Sequence, residues 1–155
     1  MYIGIIIFSQ TGNTNSVALK LKEKLSAAGH SVDIEQIEIS GELGPRATNF
    51  QIKTKPDVDK YDALVFGAPI QAFSLSPAMK SYLTQIASLK NKKVTCFITK
   101  HLPFHWTGGN QAVNKMEKIC ESKGGEVCGS GMVIWSGASR DQKITEVINR
   151  LSRLF

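Results

Sequence analysis

The sequence predicts a doubly wound α/β fold, with five parallel strands in the order 2-1-3-4-5 and helices on both faces. Three observations carry this. Short apolar runs alternate with amphipathic stretches along the 155 residues. The first run, residues 2–8, is almost unbroken and isoleucine-rich, the mark of a strand covered on both faces. A helical stretch follows that run directly, so the next strand is reached by a crossover and lies parallel. Five strands with a helix after the first suit that order.

The elements follow in turn. Residues 13–28 place Val17, Leu21, Leu25 and Ala28 on one helical face, and Gly29 stops the helix. Residues 31–39 alternate Val32, Ile34, Ile37 and Ile39 imperfectly and read as the second strand. Residues 40–60 contain Gly41, Gly44, Pro45 and Pro56. They predict a loose connection, with at most a short helical turn near residues 57–61. Residues 63–66 form a short third strand ending at Gly67.

Ser76-Pro77 announces the next helix, a cap followed by proline at the first helical position. Met79, Tyr82, Leu83 and Ile86 are its apolar face. Residues 94–98 are the fourth strand. Ala112, Val113, Met116, Ile119 and Cys120 mark a helix closed by Gly124-Gly125. Residues 127–135 are the fifth strand, where Gly129 and Gly131 suggest a bulge. Ser139 and Gln142 have capping-box spacing. They open a last helix with Ile144, Val147, Ile148, Leu151 and Leu154 inward.

The totals bound the function. The length suits one domain, residues 1–155, with a sizeable core. No stretch approaches the ~20 apolar residues of a membrane span, so no membrane insertion is expected. The first apolar run lacks a basic start and is too short for a secretion signal. Cys96, Cys120 and Cys128 are widely spaced and odd in number, which suits reduced thiols and a cytoplasmic location. The formal net charge of +6 favours acidic partners. The lysines are scattered without interleaved aromatics, which argues against nucleic acid.

In such a sheet ligands bind beyond the carboxyl ends of the strands. Three unusual segments leave the strands there. The first is Ser9, Gln10, Thr11, Gly12, Asn13 and Thr14, between a strand and a helix N-terminus. Its hydroxyls and N–H groups suit an anion held by dipoles and hydrogen bonds, without lysine or arginine. A plain turn with a helix cap would need fewer polar side chains. The P-loop and dinucleotide glycine patterns are absent. So are the acidic residues that a response regulator needs.

The second segment, residues 68–76, includes Pro69, Ile70, Gln71, Ala72 and Phe73 and is apolar for a loop. Phe73 can pack on a flat ligand, or the segment can simply dock on the core. The third, residues 99–109, runs through Thr99, Lys100, His101, Phe104, His105, Trp106, Gly108 and Gly109. Phe104 or Trp106 suits stacking on a flat ring, and a histidine there suits proton transfer. His101 and His105 lack the neighbouring carboxylate or cysteine that would complete a metal site. No nucleophile–base or carboxylate pair stands at catalytic spacing.

The run from Ser9 to Thr14 resembles the phosphate loop of flavodoxins. The run Tyr61-Asp-Ala-Leu-Val-Phe-Gly-Ala-Pro69 is similar to their third strand and the start of their ring loop. With the alternation of elements, the resemblance covers essentially the whole chain and implies a flavodoxin-like fold. It also implies a non-covalent FMN, its phosphate on the first loop and its isoalloxazine between the second and third. In that family a peptide of the second loop reverses when the flavin takes up one electron, which glycine makes cheap. Here the loop after Pro69 has neither glycine nor asparagine up to Ser76, so paired, hydride-like reduction is expected.

Three functions fit these features. One is an FMN protein that passes electrons between partners, one of them acidic. The second is a reductase that carries hydride from NAD(P)H to a quinone-type acceptor. The third is a flavin-free interaction module on the same scaffold.

Overall fold

The computed structural model describes residues 1–42, 47–71, 74–101 and 108–155. Its central sheet joins β1 (Tyr2–Ile7), β2 (Ser31–Gln36), β5 (Ala63–Gln71), β7 (Lys93–Lys100) and β8 (Glu126–Ile134). They pair in the order β2-β1-β5-β7-β8, all parallel. Numbered as parallel strands alone, this is the order 2-1-3-4-5 predicted from the sequence.

Strand periodicity sorts β1 between two cores. Ile3, Ile5 and Ile7 face α1 (Asn13–Ala27) and α4 (Arg140–Ser152), which bury Val17, Leu21, Leu25, Ile144 and Leu151 against them. Ile6 and Phe8 face α2 (Pro77–Gln85) and α3 (Gly109–Ser122), among Met79, Tyr82, Met116 and Cys120. Alternate side chains of a strand point to opposite faces, so both layers need apolar residues from one run. Gly4 leaves the space that the Tyr61 ring fills: a Cβ there would stand 2.5 Å from the ring.

The connection after β2 differs from the prediction. Residues 40–60 are not merely loose: β3 (Glu38–Gly41) and β4 (Phe50–Thr54) form an antiparallel hairpin. The predicted second strand accordingly ends at Gln36. The Ile37 N–H still reaches the Ile7 carbonyl (2.8 Å) before the chain leaves the sheet. The short turn near residues 57–61 is present, with the Tyr61 N–H on the Val58 carbonyl at 3.2 Å.

The third strand also exceeds its predicted end at Gly67. It runs to Gln71 and turns back through β6 (Ser74–Leu75), pairing Ile70 with Leu75 and Gln71 with Ser74. Pro69 is tolerated because β1 pairing stops at Gly67, so a missing N–H on that side breaks no ladder.

At helix ends the record is mixed. Ser76 caps α2, its hydroxyl accepting from the Met79 N–H, with Pro77 in the first turn. Ser139 makes no side-chain cap. Its φ of −96° and ψ of 19° lie near the helical region, not the extended geometry a capping box uses. Ala28 lies past the end of α1 and is exposed, and Ala18 takes the buried place. The β8 bulge falls where glycine suggested it, the register stepping from Val127 to Gly129 opposite Val94 and Thr95.

Candidate functional site

At the carboxyl edge of the sheet a cavity of about 320 Å³ opens between the ends of β1, β5 and β7. Gln10, Thr11, Asn13, Thr14, Pro69, Ile70, Gln71, Thr99, Lys100 and His101 line it. The sequence places these ten in three separate segments, and parallel strands bring the segments to one edge.

The first loop is built around Gly12, the residue before α1, at φ 91°. L side chains rarely adopt that conformation, and space around the missing Cβ is open within 4 Å. No side chain caps α1 from the Gly12 position. Instead the Ser9 hydroxyl accepts from the Asn15 N–H (3.3 Å) and the Gly12 carbonyl from the Ser16 N–H (2.9 Å). The first turn therefore presents its remaining N–H groups, which have no partner within the helix, towards the cavity edge.

Thr14 is buried and its hydroxyl lies 2.9 Å from that of Thr99. One hydroxyl donates to the other, which leaves the second proton for a ligand. This bond ties α1 to β7 at the cavity floor. Across the rim the Gln71 side-chain amide donates to Gln10 Oε1 at 2.6 Å and links the first two loops.

The third loop supplies Thr99, Lys100 and His101. Gly108, at φ 89°, precedes α3 as Gly12 precedes α1, so both helices begin from a left-handed glycine. Lys100 is buried at 7% exposure. Its Nζ lies 3.2 Å from where a Cβ on Gly109 would stand, over the first turn of α3.

The predicted site residues thus divide. Ten line the cavity. Ser9 and Gly12 shape its first loop from behind, and Gly108 and Gly109 are buried at the start of α3. Ala72, Phe73, Phe104, His105 and Trp106 lie outside the described residues. Sequence reasoning missed the hairpin. Ile39 and Phe50 border a narrow crevice with Gln10, Gln71 and Pro77, beside the cavity rim. The alternation Phe50-Gln-Ile52 was the available signal.

A neutral, hydroxyl-rich helix start beside a cleft between strand ends suits an anionic group such as a phosphate ester. The volume is at the low end of small-molecule sites, roughly 300–1,000 Å³. A family profile described as a flavodoxin domain matches residues 4–126. The chain belongs to the flavodoxin family.

Known structures agree on the fold of this flavodoxin-family chain. The flavodoxin of Streptococcus pneumoniae TIGR4 superposes with a TM-score of 0.72 at 18% identity, over 100% of both chains. Flavodoxin 1 of Bacillus cereus gives 0.73 at 15% identity, over 99% of this chain and 96% of that one. Among curated proteins, Protoplast secreted protein 2 of Saccharomyces cerevisiae is 28% identical over 123 residues, 71% of this chain. The chain spans 60% of the length of that relative. Among the described residues no helix is long and apolar enough to cross a membrane.

Proposed function

We propose that this protein binds FMN non-covalently in the cavity at the sheet edge and passes electrons through it. The observation that carries the reading is the convergence of the Gly12 turn, the α1 N-terminus and the Thr14–Thr99 hydroxyl pair on one cleft. When bound, FMN supplies the reversible uptake of electrons that no side chain here provides.

The protein holds and orients. Ser9, Thr11, Gly12, Asn13 and Thr14 take the phosphate by hydrogen bonds and the helix dipole. Pro69 and Ile70 offer apolar surface to the ring, and the Gln10–Gln71 bond holds the rim. The expectation that Phe73, and Trp106 or Phe104, pack on the ring concerns residues outside the described ones. The imidazole of His101, on the cavity lining, would be available to move a proton to or from the bound group. The electron partner is an acidic redox protein. Three free thiols support a cytoplasmic location.

An absorbance titration tests the reading. Apoprotein mixed with FMN should give a bound flavin spectrum, and riboflavin should bind more weakly. Protein that leaves the FMN spectrum unchanged would return the chain to the flavin-free reading.

A second reading, a reductase fed by NAD(P)H and delivering to a quinone-type acceptor, is favoured by the second loop. It lacks glycine, and β5–β6 pairing fixes both its flanks. Bleaching of bound FMN by NAD(P)H alone separates the reductase from the carrier.

A further inference from the structure

The charge around the cavity is one-sided. Among the described lining residues Lys100 is the only lysine or arginine, and no carboxylate is present. In sequence, the segments to which the lining residues belong, 9–14, 68–76 and 99–109, contain no aspartate or glutamate. The loops thus bring a lysine to the site and no acid.

The position of that lysine matters. Thr99 and Lys100 are neighbours on β7, so their side chains leave opposite faces of the strand. Thr99 points to α1 and bonds Thr14, on the phosphate side. Lys100 points to α3, its Nζ over Gly109. Pro69 pairs with Thr99 in register, so Lys100 lies level with Ile70, where the second loop begins. The lysine therefore lines the cavity at the level of the second loop's first residues, with its ammonium at the start of α3. Its charge also meets the positive end of the α3 dipole, and two positive features gathered at one place favour a ligand that gains negative charge there.

We propose that Lys100 sets the redox preference of the site, its buried ammonium favouring the flavin ring when reduction has made that ring an anion. Two electrons and one proton added to the neutral ring leave one negative charge on it. A fixed positive charge nearby stabilises that form and leaves the neutral oxidised form almost unaffected. Relative to oxidised FMN, reduced FMN then binds more tightly than it would without the lysine. Lys100 is a tuning residue, and this role rests on the FMN reading above.

The test compares wild type, Lys100→Met, Lys100→Gln and Lys100→Arg. Affinities for oxidised FMN and riboflavin come from titration. The midpoint potential comes from anaerobic dithionite titration against a reference dye. Far-UV circular dichroism checks folding, and the Gln variant replaces Met if Met does not fold. Loss of the charge should cut the preference for reduced over oxidised FMN about tenfold, a fall of about 30 mV for a two-electron couple. Lys100→Arg should stay near wild type, and oxidised riboflavin should bind all variants alike. An unchanged potential in both neutral variants would overturn the proposal. So would an equal loss of FMN in both redox states with riboflavin unaffected, which would place the charge on the phosphate. A wild type that binds no flavin would defeat the FMN reading itself.

Discussion

Thr14 shows how one residue joins fold and chemistry. It is the second residue of α1, it is buried, and its hydroxyl meets that of Thr99 across the cavity floor. Thr14→Val keeps the shape and removes the hydroxyl. A bound phosphate would lose one charge-assisted hydrogen bond, worth about 1.5–3 kcal/mol. FMN affinity should fall accordingly, and riboflavin affinity much less. Equal losses for both ligands would show that the phosphate lies elsewhere.

Tyr61 gives a residue-scale prediction about pH. Its ring fills the space left by Gly4, and its hydroxyl donates to Glu35. Burial, then the Glu35 carboxylate, hold the phenol well above the usual tyrosine range. The folded state therefore keeps a proton that the unfolded chain releases near pH 10. The stability from this group is intact below that pH and falls as pH rises beyond it. Melting temperature should drop from about pH 10 upward, and less steeply in Tyr61→Phe. Tyr82, also raised by burial, retains its share of the slope. Identical alkaline slopes in the two proteins would contradict this.

At the scale of elements the second loop is the informative one. Ile70 pairs with Leu75 and Gln71 with Ser74, so ladder bonds fix both flanks of the residues between them. Reversal of a peptide there would take a residue other than glycine to positive φ, at about 1–3 kcal/mol. A penalty of that size shifts an equilibrium about five- to more than a hundredfold, since 1.4 kcal/mol is about tenfold. Stepwise anaerobic reduction followed by absorbance should therefore pass to the fully reduced flavin with little one-electron species midway. A one-electron species dominating the midpoint would sink the argument and favour the carrier.

The same scale shows what the sequence could and could not reveal. The parallel strands were legible because apolar residues on both faces of Ile3 to Ile7 leave no other reading. The β3–β4 hairpin was not. Glu38, Ser40, Gln51 and Lys53 interrupt its apolar residues, and the hairpin packs on one side only. The Ser139 cap failed because residue spacing says nothing of the backbone angles a cap requires. The first loop was legible as a candidate site because its polar residues exceed what a cap needs, and four of its six residues line the cavity. The buried place of Lys100 was hidden, since lysine is ordinarily an exposed residue.

On the scale of the whole molecule the net charge of +6 must act on whatever meets the site. Its distribution gives that charge a direction. Lys80 on α2 and Lys115 on α3 sit side by side, and the neighbouring ammonium holds Lys115 below the usual lysine range. Lys80 is the fourth residue of α2 and Lys115 the seventh of α3, so this repulsive pair lies on the α2–α3 side of the sheet, the side to which Lys100 points. A carboxylate from a partner would relieve the repulsion, which makes that face the expected approach for an acidic redox protein. Exposed charges act over about a Debye length, roughly 8 Å at physiological salt and 3 Å at 1 M. The second-order rate with such a partner should therefore fall steeply as salt rises. Lys80→Glu should lower that rate at low salt and flatten its salt dependence, with FMN affinity unchanged. A rate indifferent to salt in the wild type would show that the basic face does not guide the encounter.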